Sequence, residues 1–171
     1  MKSGVISEVI RMKKEDKYII HRTKYNVNKD IIKRTYKGIT YDSVMEMRYF
    51  IEVVEPMMEV GYITYYERQK TYILQEKYKH NHQTVLPITY VADYYIEYSN
   101  GHKEVIDIKG MPDGIAKIKR KLFWKIYPDI EYKWITYNKS HGGWVEYDEL
   151  QKQRRAEKRA KEKLKKAQQK D

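Results

Sequence analysis

Between Ser43 and Gly61 apolar residues return every third or fourth position, at Met47, Phe50, Ile51, Val54, Met57 and Met58, while Arg48, Glu52, Glu55 and Glu59 form the opposite stripe. That spacing predicts an amphipathic helix, with Gly61 as its stop. The period then changes to two. Residues 62–78, YITYYERQKTYILQEKY, are rich in β-branched and aromatic side chains and predict one strand or two in succession, followed by a polar loop at KHNHQ. TYVADYYIEY (residues 89–98) and EVIDIK (104–109), joined by SNGH, predict a β-hairpin. GMPDG breaks the chain. IAKIKRKLFWKIY (115–127) predicts a second helix, with Ile115, Ile118, Leu122 and Ile126 on its apolar face and Pro128 beyond its end. EYKWITY predicts a further strand and NKSHGG a turn. This order of helix, strands, helix and strand predicts a mixed α/β fold, a central mixed sheet flanked by helices.

Length bounds the organisation. A chain of 171 residues holds one domain with a real core, and the pattern divides it into a peripheral arm (1–35, with a short strand at DKYIIHR), a domain (36–150) and a tail (151–171). The net charge is +11, with 35 Lys and Arg against 24 acids, which favours a polyanionic partner such as nucleic acid. Ten of those cations and three acids fall in the tail, leaving +4 for residues 1–150. The tail is a strong helix former whose only large aliphatic residue is Leu164, so it is expected to be a solvated helix or disordered until it meets a partner. Cysteine is absent and the five histidines lack zinc spacing, which excludes disulfides and thiolate metal sites and leaves only hard, oxygen-ligated metals. No apolar run approaches membrane-spanning length and the first residues lack a signal-peptide core, so a soluble, cytoplasmic protein is expected.

The hairpin carries the candidate chemistry. In EVIDIKG, Asp107 and Lys109 alternate with Ile106 and Ile108. A two-residue turn at Asn100-Gly101 would put Asp93 and Asp107 on opposite faces. A three-residue loop, Ser99-Asn100-Gly101, sets Asp93 directly across from Asp107, needs a left-handed residue where Gly101 stands, and keeps Ile106 and Ile108 with Ala92, Tyr94 and Ile96. The second register is the one predicted. Opposed carboxylates about 5 Å apart repel unless a proton or cation lies between them, and oxygen ligands with retained waters suit Mg²⁺ or Mn²⁺. Lys109 would then orient or deprotonate a water beside the metal. An ordinary surface ion pair of Asp107 with a lysine accounts for the same spacing, since acid-x-Lys arises often by chance. Glu46 has two readings as well: it lies along the edge of the buried stripe, toward the sheet, and it completes a Ser43-x-x-Glu46 capping box.

Taken in order, YKGITYDSVMEMRYF, GYITYYERQKTYIL, ITYVADYYIEY, EVIDIKG and IKRKLFWKIYPDIEYKWI resemble the PD-(D/E)XK nuclease superfamily, and more closely its small phage-encoded members related to Holliday-junction resolvases. The likeness covers most of residues 36–136; no single motif is specific, the ordered set is. It implies a restriction-endonuclease-like core and a Mg²⁺-dependent endonuclease, with Mn²⁺ as a substitute, acting on branched DNA as a homodimer. It further implies that Asp93, Asp107 and the Ile108 carbonyl hold the metal, that Lys109 positions the attacking water, and that Glu46 adds a metal or water contact. Gln69 stands where some relatives carry a polar residue near the site. Asp107 replaces the commoner Glu and Ala92 the expected Pro. On the second helix Lys117, Arg120, Lys121 and Lys125, with Lys119 nearer the apolar edge, are expected to contact phosphates; such contacts position a duplex without reading its sequence.

Overall fold

The structure is a computed structural model and describes residues 31–168; the strand expected at residues 16–22 lies outside them. A 3₁₀ turn (Ile32–Arg34) and a small hairpin, β1 (Thr35–Tyr36) with β2 (Ile39–Thr40), lead to the first helix. Ser43 starts it: its hydroxyl accepts the Glu46 amide at 3.1 Å, satisfying a donor the first turn leaves open. Helix α1 then runs through Val44–Tyr49, Phe50–Val54 and Glu55–Glu59. Its middle stretch is π-helical, which the periodicity did not announce. Pro56 accounts for it, because proline lacks an amide donor and its ring collides with the carbonyl four residues back; a widened turn just before it relieves both. Gly61, at φ +70°, closes the helix as expected.

Residues 63–75 form one long strand, β3 (Ile63–Gln75). KHNHQ is not a loop: β4 (Tyr78–His80) and β5 (Gln83–Val85) pair around Asn81 and His82, both at positive φ as a tight hairpin turn demands. β6 (Ile88–Tyr98) and β7 (Lys103–Ile108) follow, then α2 (Gly114–Ile126), β8 (Glu131–Asn138), β9 (Gly143–Glu146) and α3 (Tyr147–Gln168). The five long strands form one mixed sheet in the order β3-β6-β7-β8-β9, parallel only between β7 and β8. A parallel pair needs a crossover, and α2 provides it. The fold class is therefore the predicted one. Strand β9 was not anticipated, and the basic helix begins inside the domain: Leu150 is buried and Tyr147 packs edge-on against Trp134, whereas the side chains described from Lys152 onward are exposed.

Each face of the sheet has its own core. On one, Met47, Phe50, Val53 and Val54 of α1 pack against Tyr94, Ile96 and Ile106. On the other, Phe123 of α2 is wholly buried among tyrosines, its ring centroid 4.9 Å from Tyr72, 5.8 Å from Tyr90 and 5.1 Å from Tyr132. This corrects the predicted apolar face of α2. Ala116, Leu122, Phe123 and Tyr127 pack on that core, while Ile115 and Ile118 are 66% and 62% exposed and Ile126 is also exposed. Two stripes of the helix were apolar enough to bury, and the one carrying aromatic rings removes more area from water.

The alternation of faces also breaks. Tyr90 and Ala92 belong to the α2 core, yet Tyr94 and Ile96 belong to the α1 core and Tyr95 to the α2 core. Strict alternation had grouped Ala92 with Tyr94 and Ile96. Strand β3 switches at the same level: Arg68 lies over the Tyr41 ring of the α1 core, and Lys70 over the Tyr95 ring of the other. Between them Gln69 has φ +55° and leaves the β3–β6 ladder, which runs Arg68↔Tyr94 and then Lys70↔Ala92.

Candidate active site

The β6–β7 hairpin has the predicted three-residue loop. Tyr95 pairs with Val105 and Tyr94 with Ile106, and Gly101 has φ +80°. The ladder stops there, so Asp93 and Asp107 are the next opposed positions, where β6 and β7 part. In this register Ile108 would bond to Ala92; instead its N–H donates to Asp93 Oδ2 at 2.7 Å. The carboxylate has replaced a ladder carbonyl, which the face switch at this residue allows. In extended backbone the N–H and C=O of one residue point to the same side, so the Ile108 carbonyl also turns toward the fork. The Lys109 amide points the other way and donates to Ile135 O at 2.8 Å.

Asp107 is 2% exposed and fully occupied: Lys109 Nζ lies 2.9 Å from Oδ1, and the Tyr132 hydroxyl donates to Oδ2 at 3.0 Å. Trp134 Nε1 in turn donates to the Tyr132 oxygen at 3.1 Å and fixes it. Neither Tyr132 nor Trp134 was singled out in the sequence, although their alternation in EYKWITY puts both on the Asp107 face of the neighbouring strand. Burial, the facing Asp107 charge and that of Glu46 push the Asp93 carboxyl up to about 9. Lys109 goes the other way from most buried lysines: burial lowers its pKa, but Asp107 and Asp93 outweigh it and the ammonium is held above its ordinary range.

Glu46 sits at the cap and is buried on the sheet side of α1, but its carboxylate meets the Ser43 hydroxyl rather than the Ser43 amide that a capping box uses. Its main-chain N–H bonds to the Ser43 cap, and the Ser43 hydroxyl donates to its Oε1 at 2.8 Å. Its carboxylate is nevertheless 7% exposed, raised in pKa by burial despite that bond, and close enough to Asp93 for the two charges to interact. The Tyr94 hydroxyl, donating to the Glu46 carbonyl at 2.8 Å, ties α1 to the sheet beside the fork.

Gln69 lies on β3, at the position that faces Asp93 of β6. Its side-chain nitrogen is buried without a hydrogen-bond partner among the described residues. An orphaned buried donor costs about 1–3 kcal/mol, and a left-handed non-glycine residue about 1–2 more. Glycine in a strand loses roughly 0.5–1 kcal/mol of that relief to backbone entropy. Gln69→Gly is therefore expected to melt no lower than the wild type; a fall of many degrees in a thermal scan would show the side chain to be structural.

The helical lysines divide. Lys117, Lys121 and Lys125 are exposed, and Lys119 lines a cleft of about 340 Å³ with Tyr90, Asp107, Lys109, Ile115 and Tyr132. Arg120 is withdrawn from the expected phosphate contacts. It bonds Asp148 at 2.7 Å and lies 3.5 Å from the Trp134 ring centroid, fastening α2 to α3.

Among the described residues no three His, Cys, Asp or Glu side chains form a ready-made metal cage. The donor set at the fork is smaller: two opposed carboxylates and one main-chain carbonyl. That fits a cation of the Mg²⁺ kind, which retains waters and takes one or two carboxylates together with substrate phosphate.

Fold and site together define a small mixed α/β domain that presents a buried acid, a half-buried acid facing it and a lysine where two strands of its sheet separate. The model of a protein family described as "Protein of unknown function (DUF1064)" matches residues 22–143, and the chain belongs to that family. The matched interval contains every candidate site residue from Glu46 to Lys125. A comparison with curated proteins finds no match. Among the described residues no helix is long and apolar enough to cross a membrane.

Proposed function

We propose that the chain is a metal-dependent endonuclease acting on DNA, with branched DNA such as a Holliday junction as its substrate. The observation that supports this best is the fork itself: half-buried Asp93 faces buried Asp107, with Lys109 2.9 Å from Asp107. Two acids set face to face need a proton or a cation between them, and the oxygen donors gathered at the fork suit the cation. The ordered likeness to PD-(D/E)XK nucleases supports the same reading.

Asp93, Asp107 and the Ile108 carbonyl would hold Mg²⁺ or Mn²⁺, and the bound ion would polarise the phosphodiester and acidify a water. Lys109, kept as an ammonium by its carboxylate partners, donates to the attacking water and offsets charge developing on the phosphate. Glu46 orients the same water from the α1 side. Tyr132 and Trp134 hold the Asp107 carboxylate against rotation. Lys119, at the rim of the cleft, contacts a phosphate beside the scissile one. Resolving a four-way junction symmetrically requires two such sites, hence a homodimer, in phage DNA metabolism within a host cytoplasm.

A second reading has its own support. Both Asp107 oxygens are already satisfied by Lys109 and Tyr132, which is how a silent site in a non-catalytic nucleic-acid-binding protein would rest. One assay separates the two: the purified protein on four-way junction, flap, linear duplex and single-stranded DNA, with Mg²⁺, Mn²⁺ or EDTA. Metal-dependent cuts near the branch are expected. Salt-sensitive gel shifts with no product under either metal would leave only the binding protein.

A further inference from the structure

Helices α2 and α3 enclose a second groove, on the far side of α2 from the Asp107 cleft and with a volume of about 470 Å³. Lys117, Lys121 and Trp124 line it from α2, at spacings of four and three that set them in one row; Gln151 and Arg155, four apart, line it from α3. Arg120 closes its floor, paired with Asp148, so the one acid in the groove is already neutralised. Lys117, Lys121 and Arg155 are exposed cations without an ion pair to a described residue in that groove, and Trp124 is 47% exposed.

A half-exposed tryptophan is an expensive surface residue, and this one is held in place. The Arg120 guanidinium lies 4.7 Å from its ring centroid and 3.5 Å from that of buried Trp134, so the Trp124 ring is braced from the core side. A ring fixed in orientation, exposed outward and set in a row with lysines is the arrangement that unpaired nucleotides use, because bases stack on the ring while cations follow the phosphates. Duplex DNA offers the phosphates but keeps its bases stacked on one another.

We infer that the groove between α2 and α3 binds a single-stranded nucleic-acid segment, with one base stacked on Trp124 and its flanking phosphates on Lys117, Lys121 and Arg155. The cations of α3 continue the track, Lys158 and Arg159 following Arg155 along exposed helix. The inference rests on the proposed nucleic-acid substrate and adds to it that the substrate carries an unpaired strand beside the cut; it does not require that cutting occurs.

The test is fluorescence titration of the full chain with oligothymidylate in EDTA, where nothing can be cleaved. Quenching of tryptophan emission is expected in the wild type and in Asp107→Asn. Trp124→Phe should remove most of it, since Trp134 is buried and Trp144 packs on the α1 core. Trp124→Ala should weaken oligothymidylate binding by about tenfold, as loss of one stacked base does. Affinity for blunt duplex should stay unchanged, and Lys117→Gln with Lys121→Gln should flatten the salt dependence of single-strand binding by roughly one to two units of slope. All these exposed positions leave the thermal transition in place, which the same samples check. Quenching that persists in Trp124→Phe, or equal oligothymidylate affinity in wild type and Trp124→Ala, overturns the inference. Quenching at Trp124 by a protein that cuts no DNA under Mg²⁺ or Mn²⁺ supports the groove and defeats the endonuclease reading; metal-dependent cutting with no quenching does the reverse.

Discussion

Asp107→Asn is expected to reduce Mg²⁺-dependent cleavage by on the order of 10²–10³-fold or more, the scale on which removing one preorganised electrostatic group acts. The substitution is isosteric. The amide oxygen can still accept from Tyr132, and removing one of two opposed acids relieves Asp93, whose carboxyl burial and Asp107 together push upward. Lys109 loses its ion pair but is 31% exposed and can turn to water. Folding and DNA binding should therefore survive while turnover does not. Single-turnover cleavage of a junction alongside a thermal scan measures both, and a variant that cuts at the wild-type rate would remove Asp107 from the mechanism.

Phe123→Ala is expected to cost about 3–5 kcal/mol, as truncation of a buried aromatic does. The ring is wholly buried and meets four tyrosine rings, Tyr72, Tyr90, Tyr127 and Tyr132, with centroids between 4.9 and 5.8 Å away. In a domain of this size the loss should lower the melting temperature by roughly 10 °C. Ile118→Ala, one turn away on the stripe that looked like the core face, should change stability by no more than about 0.5 kcal/mol. If the two variants melted in the opposite order, the orientation of α2 described above would be wrong.

The contrast between those two residues shows where the sequence was legible. Turn chemistry was decisive in the hairpin: glycine at the third loop position selected the register, and the register put Asp93 across from Asp107. Helix α1 was legible because a single stripe was apolar. Helix α2 offered two, and periodicity measures the presence of a stripe, not which neighbour it meets. The same limit hid Tyr132 and Trp134, whose contact with Asp107 depends on a parallel pairing of β7 and β8 across an intervening helix. The loss of Arg120 to Asp148 likewise depends on where α3 docks. The face switch left no trace in the sequence, because glutamine at a left-handed position is rare and nothing in ERQKT marks it.

That switch bears on how the protein keeps itself from aggregating. β3 is thirteen residues long and stands at the margin of the sheet, and no described strand pairs with its outer side. A flat margin of that length is a template on which another chain could add in register. Gln69 interrupts it near the middle, where the flanking side chains change faces, so a chain adding along this margin would meet two shorter runs instead of one long one. The residue that lies across from Asp93 thus also shields the open flank of the sheet.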